Sequence, residues 1–178
     1  HLFMEVIMDK VLETIKTRRS IRAYKPDMVE KELIDKVIEA GTYAATGRGN
    51  QSPIIIAVTN REVRDKLSKM NGKIMGTDTD PFYGAPVVLI VLADKTKNTY
   101  LYDGSLVMGN MMLEAQNLGL GSCWIHRAKE EFESEEGKEI LKSLGITGDY
   151  EGIGHCVLGY IKGDAPAVSY THLTLPTN

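Results

Sequence analysis

Between Lys16 and Lys25 the chain reads KTRRSIRAYK, with five cations and no anion in ten residues. Arg18, Arg19, Ser20 and Arg22 fall where a first helix should end and the chain turn extended. Guanidinium groups present a rigid fork of donors suited to phosphate, and a serine hydroxyl completes such a cradle. Like charges this dense repel one another unless an anion or an acidic partner neutralises them. A solvated charged turn is the competing reading, and the segment alone leaves both open.

Two further segments have the composition of ligand loops. In TGRGNQSP (46–53) small residues let backbone approach a ligand, while Asn50, Gln51 and Ser52 offer donors and acceptors together. A flat heterocycle with mixed edges would match this loop, and an ordinary turn would have the same composition. In GLGSCWIHR (119–127) glycines lead into a short strand that runs into a polar loop. Backbone N–H groups at such a strand end are well placed for a ligand in a layered fold. Trp124 reads equally well as a core anchor, and His126 as an exposed loop residue.

The motifs of other chemistries are missing. Gly119-Leu-Gly121 continues into Ser-Cys-Trp, so a dinucleotide fingerprint after a strand has no support. The sequence contains no Walker A motif, no HExxH and no GxSxG. Four histidines, at 1, 126, 155 and 172, are too scattered to suggest a metal centre. Cys123 and Cys156 form no CxxC pair and fit reduced thiols of a cytoplasmic protein better than a disulfide framework.

The elements that must hold these segments follow from composition and periodicity. With 178 residues, 43% apolar and 25% charged, the chain has room for one ordinary domain with a real core. A formal charge of −3 argues against a nucleic-acid module. The longest apolar run, Gly84 to Ala93, is too short to span a bilayer, and the first ten residues lack a basic signal-peptide start. Hydrophobic spacing predicts helices over about 9–17, 30–45, 61–70, 101–118 and 129–144, and strands over 54–59, 87–93, 122–125 and 154–162. Residues 71–86, with glycines, two prolines and no period, read as a long mobile loop of the kind that shapes binding pockets. The uncharged stretch VSYTHLTLPTN (168–178) reads as a tail, in part a non-native scar, and His1 to Phe3 as preceding a natural start at Met4. One domain over residues 4–165, followed by a tail over 166–178, is the expected organisation.

Three motifs in this order resemble the FMN-dependent nitroreductase family: RRSIRAY (18–24) after a short helix, AGTYAATGRGNQSP (40–53) before the strand IIIAVT, and NMMLEAQNLGLGSCWI (110–125). IGHCVLGYIKG (153–163) fits the family's last core strand. The resemblance implies an α+β fold with a central mixed β-sheet flanked by helices, and an intertwined homodimer with FMN at the interface. By the same resemblance Arg18, Arg19 and Ser20 would hold the FMN phosphate and ribityl chain, and Arg22 the pyrimidine edge of the ring. Asn50, Gln51 and Ser52 would approach from the partner subunit, and the backbone at Ile125 and His126 would face N5 and O4.

No catalytic side chain is implied, since flavin N5 carries the chemistry. NADH or NADPH would donate hydride by a ping-pong mechanism to small electron-poor acceptors such as nitroaromatics or quinones. Alternatives of the same resemblance are a flavin enzyme with another reaction, reductive dehalogenation or flavin fragmentation, and a non-catalytic FMN-binding module. Two departures stand out. Trp124 and His126 replace a proline and a glutamate found in many relatives, and the uncharged tail lacks the family's C-terminal cation for the phosphate.

Overall fold

Val87 to Asp94 is a nearly unbroken apolar run, and in the computed structural model, which describes residues 9–170, it is buried along almost its whole length. Such a strand must be covered on both faces, and it takes an inner position in the sheet. The expected start at Met4 and the end of the tail beyond Tyr170 lie outside the described residues. Among the described residues four strands form the sheet: β1 (Ile54–Val58), β2 (Val87–Asp94), β3 (Gly121–Ile125) and β4 (Tyr150–Gly159). Their order is β1-β2-β4-β3 and every pair is antiparallel. The parallel element of the expected mixed sheet reduces, among the described residues, to a single bridge between Ser20 and Ser122.

Among the described residues six α-helices accompany the sheet: α1 (Lys10–Thr17), α2 (Lys31–Thr42), α3 (Arg61–Met75), α4 (Tyr100–Asn117), α5 (Ala128–Glu133) and α6 (Glu135–Ser143). Alternation along β2 divides the core into two. Leu89 and Val91 pack with Ile34 and Val37 of α2 and with Met108 and Met111 of α4. Val88, Ile90 and Leu92 pack on the other face with Leu67 of α3, Phe82 and Phe132 of α5. The fold is thus an α+β layer structure, as the resemblance implies.

Two sequence expectations need correction. Asn71 to Met75 is not loop but the last part of α3, which ends at Gly76 in the left-handed conformation. Asn71 and Gly72, residues that disfavour helix, are buried there. The side chain of Asn71 reaches the β3 end, and a Cβ at Gly72 would stand 2.9 Å from the Thr77 carbonyl oxygen. The single helix expected over 129–144 is two. Ser134 breaks it with extended backbone and caps α6 by accepting from the Gly137 amide at 3.1 Å.

Candidate active site

The extended segment after α1 is stitched into the sheet from both sides. Ile21 N–H donates to the Ser122 carbonyl of β3 at 2.9 Å. On its other side Lys25 N–H donates to Tyr160 and Lys162 N–H to Ala23. Ile21 and Tyr24 are buried as anchors while Arg22 between them is exposed. Arg22 is therefore presented outward from a backbone held on both sides.

Arg18, Ser20 and Arg22 all act on the thiol of Cys123, in the middle of β3. Burial pushes the Cys123 thiol up, while Arg22, the Ser20 hydroxyl and Arg18 pull it the other way without cancelling that effect. Cys123 is thus a protonated packing residue, and its surroundings record a shared positive field. Neither Arg18 nor Arg22 is ion-paired among the described residues. Arg19 is engaged differently. Its Nη1 donates to the Lys16 and Arg18 carbonyls at 2.7 and 2.8 Å, closing the C-terminus of α1, and its guanidinium lies over the Tyr170 ring.

The Asn50 loop sits elsewhere in the same chain. Gly47 N–H donates to Asp103 Oδ1 at 2.9 Å, and Thr99 holds Oδ2, so the loop is tied to the first turn of α4. Thr17, beside the arginines, is instead bonded to Gln116 in the last turn of α4. The helix rise between Asp103 and Gln116 is about 20 Å, so one chain does not bring the two segments together. Within the loop, Gln51 closes the turn, since its Nε2 donates to the Thr42 carbonyl and its Oε1 accepts from the Thr46 hydroxyl. Asn50 is exposed, and the buried Ser52 hydroxyl has no partner among the described residues.

At the end of β3, Ile125 is buried and His126 is exposed. The Ile125 carbonyl is 3.1 Å from His155 Nδ1, and the His126 carbonyl accepts from Asn71 Nδ2 at 2.9 Å. Neither the His126 nor the Arg127 amide N–H has a partner among the described residues. Two unpaired guanidinium groups, a serine and two open amides thus line the same edge of the sheet, along β3.

The nitroreductase family model matches residues 15–78 and 75–160. This chain belongs to the nitroreductase family. A relative from Methanothermobacter thermautotrophicus, provisionally named an NADH dehydrogenase/NAD(P)H nitroreductase, is 35% identical over 70% of this chain and 64% of its own length. One of the same provisional name from Archaeoglobus fulgidus is 30% identical over 88% of each chain. The match thus spans just under two thirds of the first relative and most of the second. The crystal structure of a Bacteroides fragilis nitroreductase with bound FMN superposes with a TM-score of 0.83 at 28% identity, covering 94% of this chain and 99% of that one.

The segment after α3, expected as a long mobile loop, is braced from within. Asp80 pairs with Arg64 at 2.5 Å, accepts from Ser68 at 2.6 Å and takes the Phe82 and Gly84 amides. Burial pushes the Asp80 carboxyl up, but Arg64, Ser68 and the two amides outweigh it and hold it below its ordinary 3.8. A carboxylate lowered on folding stabilises the fold above its unfolded pKa, and that contribution is lost as pH falls through the depressed value. Asp80→Asn is expected to cost about 2 kcal/mol at pH 7, since among the described residues Arg64 then keeps one carboxylate, the partly exposed Asp65, and the Ala85 carbonyl. The gap to wild type should close as pH drops below the ordinary carboxylate range, measured by urea unfolding at pH 7 and pH 3. A gap that is constant with pH would contradict the assignment.

Several residues that shape this site escaped sequence reasoning: Asp103, Asn71, Glu131 and His155. Each is almost wholly buried, although Asn71 and Glu131 lie in polar helical stretches that give no hint of it. A buried polar group requires partners. His155 inside the run GIGHCVLG and Asp103 beside the apolar face of α4 carried that signal.

Proposed function

We propose that this chain is an FMN-dependent oxidoreductase that takes hydride from NADH or NADPH and passes it, by a ping-pong mechanism, to small electron-poor acceptors such as nitroaromatics or quinones. The observation that carries this reading is the alignment along β3 of Arg18, Ser20 and Arg22 with the open amides of His126 and Arg127. A mononucleotide flavin has a dianionic phosphate at one end and an electron-rich ring edge at the other, and this row of donors fits both. FMN supplies the redox chemistry when bound. Arg18 and Ser20 hold the phosphate, with Arg19 contributing to the local positive field while it closes α1. Arg22 faces the part of the ring where negative charge accumulates on reduction, and the backbone beyond Ile125 orients the opposite edge.

The second half of the site comes from another copy. Asn50, Gln51 and Ser52 lie some 20 Å of helix from the arginines in one chain, so a two-fold arrangement is needed to bring them to one ligand. The chain carries a face for it: Val11, Leu12 and Ile15 on α1, Tyr43 after α2, and Tyr102 and Leu106 on α4 are all at least 45% exposed. A homodimer that covers this face unites the two half-sites. One domain over residues 4–165 and a cytoplasmic location complete the reading, the latter in keeping with two free, buried cysteines.

Purified protein, as isolated or after addition of FMN, should be yellow, and its flavin absorbance should bleach anaerobically with NADH or NADPH. Protein that stays colourless with added FMN rejects the reading. Protein that binds FMN but resists both donors is a flavin-binding module instead. Turnover of halogenated phenols, or oxygen-dependent flavin loss, would point to the other reactions of this fold.

A further inference from the structure

We propose that a buried network of Glu131, His155, Asn71 and Arg127 sets the direction of the His126 and Arg127 amide N–H groups, making them a pre-aligned donor pair for the ring edge of the bound flavin. The pairing with flavin rests on the function proposed above, whereas the orientation of the amides does not.

The backbone geometry is decisive. In a trans peptide the C=O of one residue and the N–H of the next point in opposite directions. The Ile125 carbonyl is drawn inward by His155 Nδ1 and the His126 carbonyl by Asn71 Nδ2. The N–H groups of His126 and Arg127 must therefore face away from the core, where they are found without partners among the described residues. Arg127 holds a left-handed conformation, φ 73°, which disfavours a non-glycine residue. Its Nε donates to Asn71 Oδ1 at 2.8 Å, so one side-chain amide clamps two successive residues and its own orientation is fixed by both.

Donation from His155 Nδ1 to the Ile125 carbonyl leaves Nε2 facing Glu131 Oε2. The two atoms are in contact, and both side chains are 0% exposed. Asn71 Nδ2 also stands 3.3 Å from Glu131 Oε2, tying the clamp to the pair. An apolar pair of similar volume would be as stable or more so, and Glu131 Oε1 has no partner here. Stability alone does not account for the network; holding two carbonyls inward does.

The test compares Asn71→Leu and His155→Leu with His155→Asn, whose side-chain amide can replace the Nδ1 donor. In apo-protein, N–H residual dipolar couplings of His126 and Arg127 should change in both leucine variants while those of the sheet stay fixed, and His155→Asn should keep wild-type values. FMN titration should show a dissociation constant raised about tenfold in the leucine variants, a factor corresponding to one hydrogen bond, and by less than threefold in His155→Asn. Unchanged couplings and affinity in a folded leucine variant would overturn the proposal, as would His155→Asn behaving like His155→Leu. Should Asn71→Leu fail to fold, the His155 pair decides. Wild-type protein that binds no FMN would defeat the proposed function, while the couplings would still decide the orientation of the amides.

Discussion

Replacing Arg22 with alanine is expected to slow reduction of bound FMN by NAD(P)H about a hundredfold, the usual effect of removing one positioned charge-stabilising donor, while FMN retention weakens far less. The asymmetry follows from where Arg22 sits. Ile21 and Tyr24 on either side are buried, and Ala23 accepts from Lys162, so the guanidinium is carried on backbone that does not move. Among the described residues it has no carboxylate to neutralise it. A fixed cation of this kind favours whichever state of its ligand carries more negative charge, and the reduced ring carries more than the oxidised one. In the proposed site the phosphate is assigned to Arg18 and Ser20, so ground-state binding should retain most of its contacts. Anaerobic stopped-flow at 450 nm, roughly the flavin band used to follow reduction, gives the rate, and fluorescence titration of apoprotein gives the affinity. Equal losses in both would contradict the role assigned to Arg22, and Arg22→Lys should recover part of the rate by restoring the charge without the planar fork.

The sequence reveals this site unevenly, and the reason is physical. Cation density exposes Arg18 and Arg22 because like charges without counter-ions are conspicuous in any window. The same density made Arg19 look equivalent, although its Nη1 caps α1; only the path of the chain after Thr17 separates the three. Gln51 has the composition of a ligand contact and serves as the loop's own clamp. β2 was legible because its apolar residues are contiguous and it is buried on both faces, and α4 because its apolar residues run nearly unbroken over 18 residues. The end of α3 was not, because Asn71 and Gly72 are placed by what they meet in three dimensions, the β3 end and the Thr77 carbonyl, rather than by helix propensity. Ser134 was likewise hidden in an acidic run whose periodicity continues across the break. Local pattern fixes elements whose stabilisation is local or generic; residues recruited by a distant carbonyl leave only the mark of a polar side chain in the wrong neighbourhood.

A large loss of stability is expected from Gly152→Ala. A Cβ at Gly152 would lie 2.2 Å from the Ala128 carbonyl oxygen and 2.4 Å from its carbon. Both are backbone atoms at the start of α5, so no rotamer change relieves the collision and the helix itself must move. Gly152 precedes Ile153, the extra residue of a β-bulge where β4 shifts register against β2. Ile153 in turn lies against Gly104 of α4, which leaves β4 little room to retreat in that direction. Displacing α5 carries Glu131 away from His155 and Arg127 away from Asn71, and each buried polar group left without its partner costs about 1–3 kcal/mol. For a chain of this size several such losses together correspond to a melting temperature lower by roughly 10 °C or more. Gly145→Ala is the matched control. It meets nothing within 4 Å and carries only the strain of a left-handed residue, φ 71°, about 1–2 kcal/mol. Thermal unfolding of the two variants side by side separates collision from strain, and a Gly152→Ala protein that melts no lower than Gly145→Ala would mean that α5 is free to shift without disturbing the β3 end.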